Sequence, residues 1–189
     1  MSGSVTTAAA SSGGTGRIRG DEILSPPSGD STRAAKKPRT VDVWAVQCCK
    51  CFKWRKIKSQ EDYEEIRSKA KEDPFFCEKR PNVSCDDPAD MNYDSTRTWV
   101  ADKPNVPKTP IGFKRRLVMR RDYSKMDIYY TTPTGKSLRS ITQVAAFLKE
   151  NPEFKDISVA DFSFTSPKIM EDTIPSDVGK KSSVKMEKV

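Results

Sequence analysis

The stretch GFKRRLVMRRDYSKMDIYYTTPTGKSLRSITQVAAFLKEN, residues 112–151, decides how the chain folds. Phe113 to Arg121 alternates in character, and Asp127 to Thr132 is rich in aromatic and β-branched residues, so both read as strands. Pro133-Thr134-Gly135-Lys136 supplies a turn. Ser140 is a helix N-cap with Gln143 three residues on, the spacing of a capping box. Ile141, Val144, Ala145 and Leu148 then recur at helical intervals as a buried stripe, and Asn151-Pro152 stops the helix. Strand, turn, strand, helix is the grammar of a small α+β module.

Charge marks the same block. Residues 99–150 hold 11 Lys and Arg against 4 Asp and Glu, whereas residues 41–98 hold 11 against 12. Nearly all of the formal +8 of the 189-residue chain therefore sits on about fifty residues. A local surplus of this kind is the footprint of a face that meets nucleic acid, although a solvated basic surface gives the same count.

Upstream, residues 42–98 carry all five cysteines and two of the three tryptophans. Glu61 to Lys71 reads as a helix, with Tyr63, Ile66 and Ala70 on one face and Pro74 ending it. Cys48, Cys51, Cys77 and Cys85 suffice to close a tetrahedral site, and Cys48-x-x-Cys51 lets one turn present two thiolates. With no histidine in the chain, one structural Zn²⁺ on four sulphurs is the expected cofactor, and its binding energy would supplement a thin core. A redox C-x-x-C remains the competing reading, but it belongs in a βαβ setting that is not seen here. Cys49 is the odd residue, since only Cys48 preserves the two-residue gap.

The ends are different. Residues 1–39 are rich in Ser, Gly, Thr and Ala and are expected to be disordered, as are residues 166–189. Lys36-Lys37-Pro38-Arg39 reads as a short nuclear-import signal. No apolar run approaches the roughly 20 residues that cross a bilayer, and Met1 to Ser4 has no signal core, so neither membrane insertion nor export is expected. Without histidine, a Gly-rich phosphate loop or an open three-ligand metal pattern, no enzyme is expected.

Two resemblances follow from these residues. Gln47-Cys48 to Cys51, Lys53-Trp54-Arg55, Phe76-Cys77, Asn82 and Cys85 followed by Pro88 resemble the CW-type zinc finger. Members of that family often read methylated lysine on histone tails with an aromatic cage, and Trp54 would be one wall of it. The family's other cage tryptophan falls at Ala45 here, and Trp44 stands one residue early, on the opposite strand face. Trp44 and Trp54 are therefore candidate contacts for methyl-lysine or a partner protein.

The second block, through Gly112-Phe113, Arg120, Asp127-Ile128-Tyr129-Tyr130, Pro133-Thr134-Gly135-Lys136 and Leu138-Arg139-Ser140, resembles the methyl-CpG-binding domain. The resemblance implies that Arg120 and Arg139 read the two guanines of a CpG step, for which a guanidinium's paired donors suit O6 and N7. It implies that Asp127 orients Arg120 and that Tyr129 lies beside the cytosine methyl group. Lys114, Arg115, Arg116 and Lys125 then read as phosphate contacts, with Ser140 and the amides of the helix start taking a further phosphate. The turn from Arg121 to Met126 is shorter than expected for vertebrate members.

The expected organisation is thus a disordered region at 1–39, a CW-type finger at 40–98, a methyl-CpG-binding domain at 99–165 and a disordered tail at 166–189. The expected function is a nuclear chromatin protein of the kind that acts in transcription regulation. It binds double-stranded CpG DNA, with preference for the methylated form, and histone tails or chromatin-modifying proteins are expected partners of the finger. The alternative is an adaptor whose finger docks a histone or partner and whose basic block binds DNA regardless of methylation.

Overall fold

A computed structural model describes residues 7–9, 39–104 and 106–176. Its strands are β1 (Thr7–Ala9), β2 (Arg39–Thr40), β3 (Trp44–Gln47), β4 (Trp54–Ile57), β5 (Val100–Ala101), β6 (Lys114–Met119), β7 (Met126–Thr131), β8 (Ser137–Leu138) and β9 (Lys168–Ile169). Two α-helices join them, α1 (Gln60–Ser68) and α2 (Ile141–Glu150). The strands form two antiparallel sheets, ordered β4-β3-β1-β5-β9 and β2-β6-β7-β8.

The β6–β7 hairpin forms where the alternation predicts it, in the register Arg116↔Tyr129 and Val118↔Asp127. Arg115, Leu117 and Met119 point inward from β6, and Met126, Ile128 and Tyr130 from β7. Beneath them lies the main core, where Phe113 meets Phe162 edge-on at 5.1 Å and Val144 and Phe147 come from α2. Gly112 turns the chain into β6 at φ +86°, and a Cβ there would stand 3.0 Å from Pro133 Cγ. A side chain would thus be both strained and crowded.

The two blocks interleave. β2, which lies upstream of the cysteines, completes the sheet of the basic block by pairing Arg39↔Met119 and Thr40↔Val118. Conversely β5 and β9 join the finger's sheet through β1. The boundaries expected at residues 40 and 98 are therefore crossed in both directions. Residues 166–176 are not a free tail either: β9 lies there, a 3-10 turn spans Glu171–Thr173, and Thr173 is buried with its hydroxyl accepting from the Trp99 amide at 2.8 Å. Of the expected disordered N-terminal region, Thr7–Ala9 and Arg39 are in strands, while Lys36, Lys37 and Pro38 lie outside the described residues.

Helix α1 ends at Ser68, before the expected Lys71 and well before Pro74. Ser59 caps it by accepting from the Asp62 amide at 3.0 Å. Its buried face is Tyr63, Glu64 and Arg67 rather than Tyr63, Ile66 and Ala70. In α2 the buried residues are Val144 and Phe147; Ile141 and Ala145, placed in the stripe by sequence, are exposed.

Candidate metal centre and nucleic-acid interface

Four sulphurs converge at one end of the β3–β4 hairpin. Cys48 and Cys51 sit on the turn, Cys77 opens a 3-10 turn (Cys77–Lys79), and Cys85 comes from the following loop. All four Sγ atoms lie within 4.8 Å of one another, with Cys48–Cys85 at 3.8 Å and Cys51–Cys77 at 3.6 Å. Disulfide sulphurs would be about 2.05 Å apart. Four sulphurs about 2.3 Å from one ion at tetrahedral corners would stand about 3.8 Å apart. The donor set and its spacing fit a closed zinc site. Cys49 takes no place in it; its amide instead donates to Phe75 O at 2.9 Å.

The turn is built to hold this shape. Cys48 N donates to Lys53 O at 3.1 Å, Phe52 N to Cys48 O at 3.0 Å, and Phe52 takes the left-handed conformation at φ 57°. The thiols cannot all ionise unaided. Burial works against the Cys48 thiolate, but amides of Cys51, Lys50 and Cys77 outweigh it and bring its pKa to about 6. Burial and the neighbouring sulphurs push Cys85 to about 12. A bound cation is what stabilises all four as thiolates.

Arg55 is the residue that sequence reading missed here. It is 1% exposed, and its Nε donates to Cys77 Sγ at 3.2 Å. Its remaining donors reach Pro88 O, Asp90 Oδ1, Ser84 O and Asp87 O, between 2.5 and 3.2 Å. One guanidinium thus offsets thiolate charge and shapes the loop that delivers Cys85. Five convergent acceptors need the planar fork of Arg, and Lys could not supply it.

The two tryptophans are placed differently. Trp54 is 8% exposed and packs on Trp99 at 5.0 Å, with Met91 and Met170 around them. Trp44 stacks on Tyr63 at 4.7 Å between the two cores. Trp54 is thus closed off by packing, whereas Trp44 is half-buried with one face on Tyr63.

On the hairpin of the basic block, the outward positions are Lys114 and Arg116 on β6 and Asp127, Tyr129 and Thr131 on β7. Arg120 follows β6 and meets Asp127 side on, Nε to both carboxylate oxygens at 3.2 and 3.0 Å and Nη2 at 2.9 Å. This pair holds the Asp127 carboxyl below its usual range. Asp127, Tyr129, Arg139, Lys125 and Phe164 line one open hollow of about 230 Å³. The Arg116 guanidinium lies 6.0 Å from the Tyr129 ring. Arg139 is exposed, its amide donates to Gln143 Oε1 at 2.9 Å, and Ser140 Oγ accepts from Gln143 N at 3.2 Å. Gln143 therefore fixes the residue before the cap rather than Ser140 itself. The structure brings Arg120, Asp127, Tyr129, Arg139, Lys125 and Arg116 together, while Ser140 follows Arg139 as the cap of α2.

Arg115 is the correction. It lies in phase with Leu117 and Met119, is 1% exposed, and donates from Nη1 and Nη2 to Asp102 at 2.9 and 3.0 Å. It cannot meet a phosphate.

Two family models match the chain: the methyl-CpG binding domain over residues 99–172 and the CW-type zinc finger over residues 44–91. Methyl-CpG-binding domain-containing protein 4 of Arabidopsis thaliana is 57% identical over 157 residues, 83% of this chain and 84% of that protein. Methyl-CpG-binding domain-containing protein 1 of the same plant is 57% identical over 146 residues, 77% of this chain and 72% of that protein. The chain belongs to the methyl-CpG-binding-domain family. Its four-cysteine cluster is the zinc site of the CW-type finger that this member carries ahead of the methyl-CpG-binding domain. Neither matching model describes a catalytic activity. No solved structure matches the chain.

Proposed function

We propose that this protein binds CpG-containing double-stranded DNA in chromatin, within the nucleus, with preference for the methylated step. The observation that carries this reading is the bidentate Arg120–Asp127 pair beside the hollow lined by Tyr129 and Arg139. A guanidinium already clamped by a carboxylate loses less rotamer freedom when it meets guanine. Arg120 takes the guanine of one strand and Arg139 that of the other, in the major groove. Tyr129 lies against the cytosine methyl group. Lys125, Arg116 and the helix start at Ser140 take phosphates, which position the domain without reading sequence.

The charge balance supports the same face. Among the described residues, Lys114, Arg116, Arg121, Lys125, Lys136 and Arg139 form no ion pair, whereas buried Arg115 and the clamped Arg120 do. Cations left unneutralised in the free protein are available to release counterions from DNA. The zinc finger serves the reading by supporting this block. An adaptor role that uses Trp54 would require exposing a buried ring.

The test is a titration against one duplex with its central CpG unmethylated, hemimethylated or fully methylated, at two salt concentrations. Tighter binding to the methylated duplex, abolished by Arg120→Ala and by Arg139→Ala, is expected. Equal and steeply salt-dependent binding to all three would reduce the interaction to phosphate attraction alone.

A further inference from the structure

Arg39 lies far from the basic block in sequence, yet the fold brings it to the turn between β6 and β7. Strand β2 runs antiparallel to β6, so Arg39, opposite Met119, is the β2 residue nearest Arg120. Three contacts hold it there. Its backbone is in the ladder, its guanidinium sits 4.7 Å from the centre of the Tyr123 ring, and its Nη1 donates to Arg121 O at 3.3 Å.

The turn that receives it is itself locked. Tyr123 is held at φ 56°, a costly conformation for an aromatic residue, with its amide donating to Arg120 O at 3.1 Å. Arg120 N donates to Lys125 O at 3.0 Å, and Asp122 accepts from the Ser124 amide and hydroxyl at 3.1 and 2.7 Å. The strain turns the Tyr123 ring toward β2, where it gives the incoming arginine a platform.

Charge says what the arginine is for. Ten ion pairs neutralise cations in the described structure, Arg120–Asp127 at this turn among them, and none involves Arg39, Arg121 or Lys125. Arg39 is exposed, has five donors to offer, and spends one on Arg121 O. An ordered, exposed, unneutralised guanidinium within one residue of a DNA-reading arginine suits a phosphate.

We propose that Arg39, delivered by β2 from the far side of the zinc finger, is a DNA-phosphate contact, and that Tyr123 is the positioning residue that aims it. This rests on the DNA-binding reading above. It gives a physical role to a strand that neither matching family model covers. It also supplements a turn between the hairpin strands that is itself only a few residues long.

Arg39→Gln keeps an N–H donor for Arg121 O and removes the charge. One fewer phosphate contact lowers the slope of log affinity against log salt by about 0.9 and weakens binding about eight-fold at 0.1 M salt. Methylated and unmethylated duplexes should weaken by the same factor, since a phosphate carries no sequence information. Arg39→Lys keeps the charge and should keep most of the slope. If Arg39 only braced the turn, Gln and Lys would weaken binding alike with the slope unchanged, and the proposal would fail. An unchanged Arg39→Gln beside a parent that binds normally would also overturn it, leaving the DNA reading intact. A parent that binds no duplex would overturn both. Thermal melting of each variant checks that the fold is retained.

Discussion

On the proposed DNA-binding reading, Asp127 matters for recognition while mattering little for stability. The Arg120 side chain is 49% exposed and that of Asp127 is 32% exposed, so water screens their attraction and the pair is worth about 0–1 kcal/mol to the fold. Its value on that reading lies in ordering. Immobilising a long side chain on binding costs about 0.5–1.5 kcal/mol, and Asp127 has already met that cost for Arg120. Asp127→Asn should therefore reduce discrimination between CpG and non-CpG duplexes by up to about ten-fold, the equivalent of 1.4 kcal/mol. Because a negative charge leaves the DNA face, affinity for a non-CpG duplex should hold or rise. The melting temperature should barely move. Parallel titrations of both duplexes decide it: a uniform fall for both would mean that Asp127 supports the fold and not the reading arginine.

Among the elements, the hairpin was legible in sequence because its alternation and its turn residues agree, and the cysteine set because its spacing is distinctive. Arg115 shows where the reading stopped. Its phase with Leu117 and Met119 was there to be seen, but a run of Lys114-Arg115-Arg116 reads as surface unless a buried partner is known. That partner, Asp102, stands between β5 and Lys103-Pro104, in a stretch with no pattern of its own. Helix α1 was found where expected, but its buried face was misassigned for the same reason, since Glu64 and Arg67 on that face carry no hydrophobic signal. Arg55 was likewise invisible, because its acceptors are mainly backbone carbonyls and a thiolate brought together by the fold. Partners that support a metal ligand in this way are commonly worth 10–100-fold in metal affinity. Arg55→Met should lose zinc to a chromophoric chelator at 10–100-fold lower chelator concentration than the parent. Arg55→Lys should recover little of this, since one ammonium cannot reach all the acceptors. Parent-like zinc retention in both variants would show that the cysteines alone set the affinity.

At the scale of the whole molecule, the finger and the DNA-binding block are held together by a buried charged cluster. Asp102, 4% exposed, accepts from Arg67 of α1 at 2.6 Å, from Tyr63 of α1 at 3.1 Å, and from Arg115 of β6 at 2.9 and 3.0 Å. Gln60 of α1 donates to Arg115 O at 2.7 Å, and Glu64 accepts from the Thr109 amide at 2.8 Å. Two arginines from different blocks thus share one carboxylate, and neither block alone supplies both sides. Asp102→Asn would leave two guanidinium groups buried around a neutral amide, a change that costs roughly 3–5 kcal/mol. That is a large share of a small protein's stability. Burial would raise the Asp102 pKa, but Arg115 and Arg67 outweigh it and hold the carboxyl below its usual range. A depressed folded pKa means that the stabilisation is fully present above the unfolded value of about 3.9 and is lost as pH falls through the folded value. The parent should therefore weaken steeply below about pH 4, while Asp102→Asn starts lower and lacks this share of the acid loss. Fluorescence of Trp44, Trp54 and Trp99 follows the finger side, and amide exchange in β6 and β7 follows the DNA-binding side. In the parent both should report one transition, and zinc removal should loosen β6 and β7 along with the finger. Two separate transitions, or β6–β7 protection that survives zinc removal, would mean that the blocks fold independently and that the shared carboxylate only joins two finished modules.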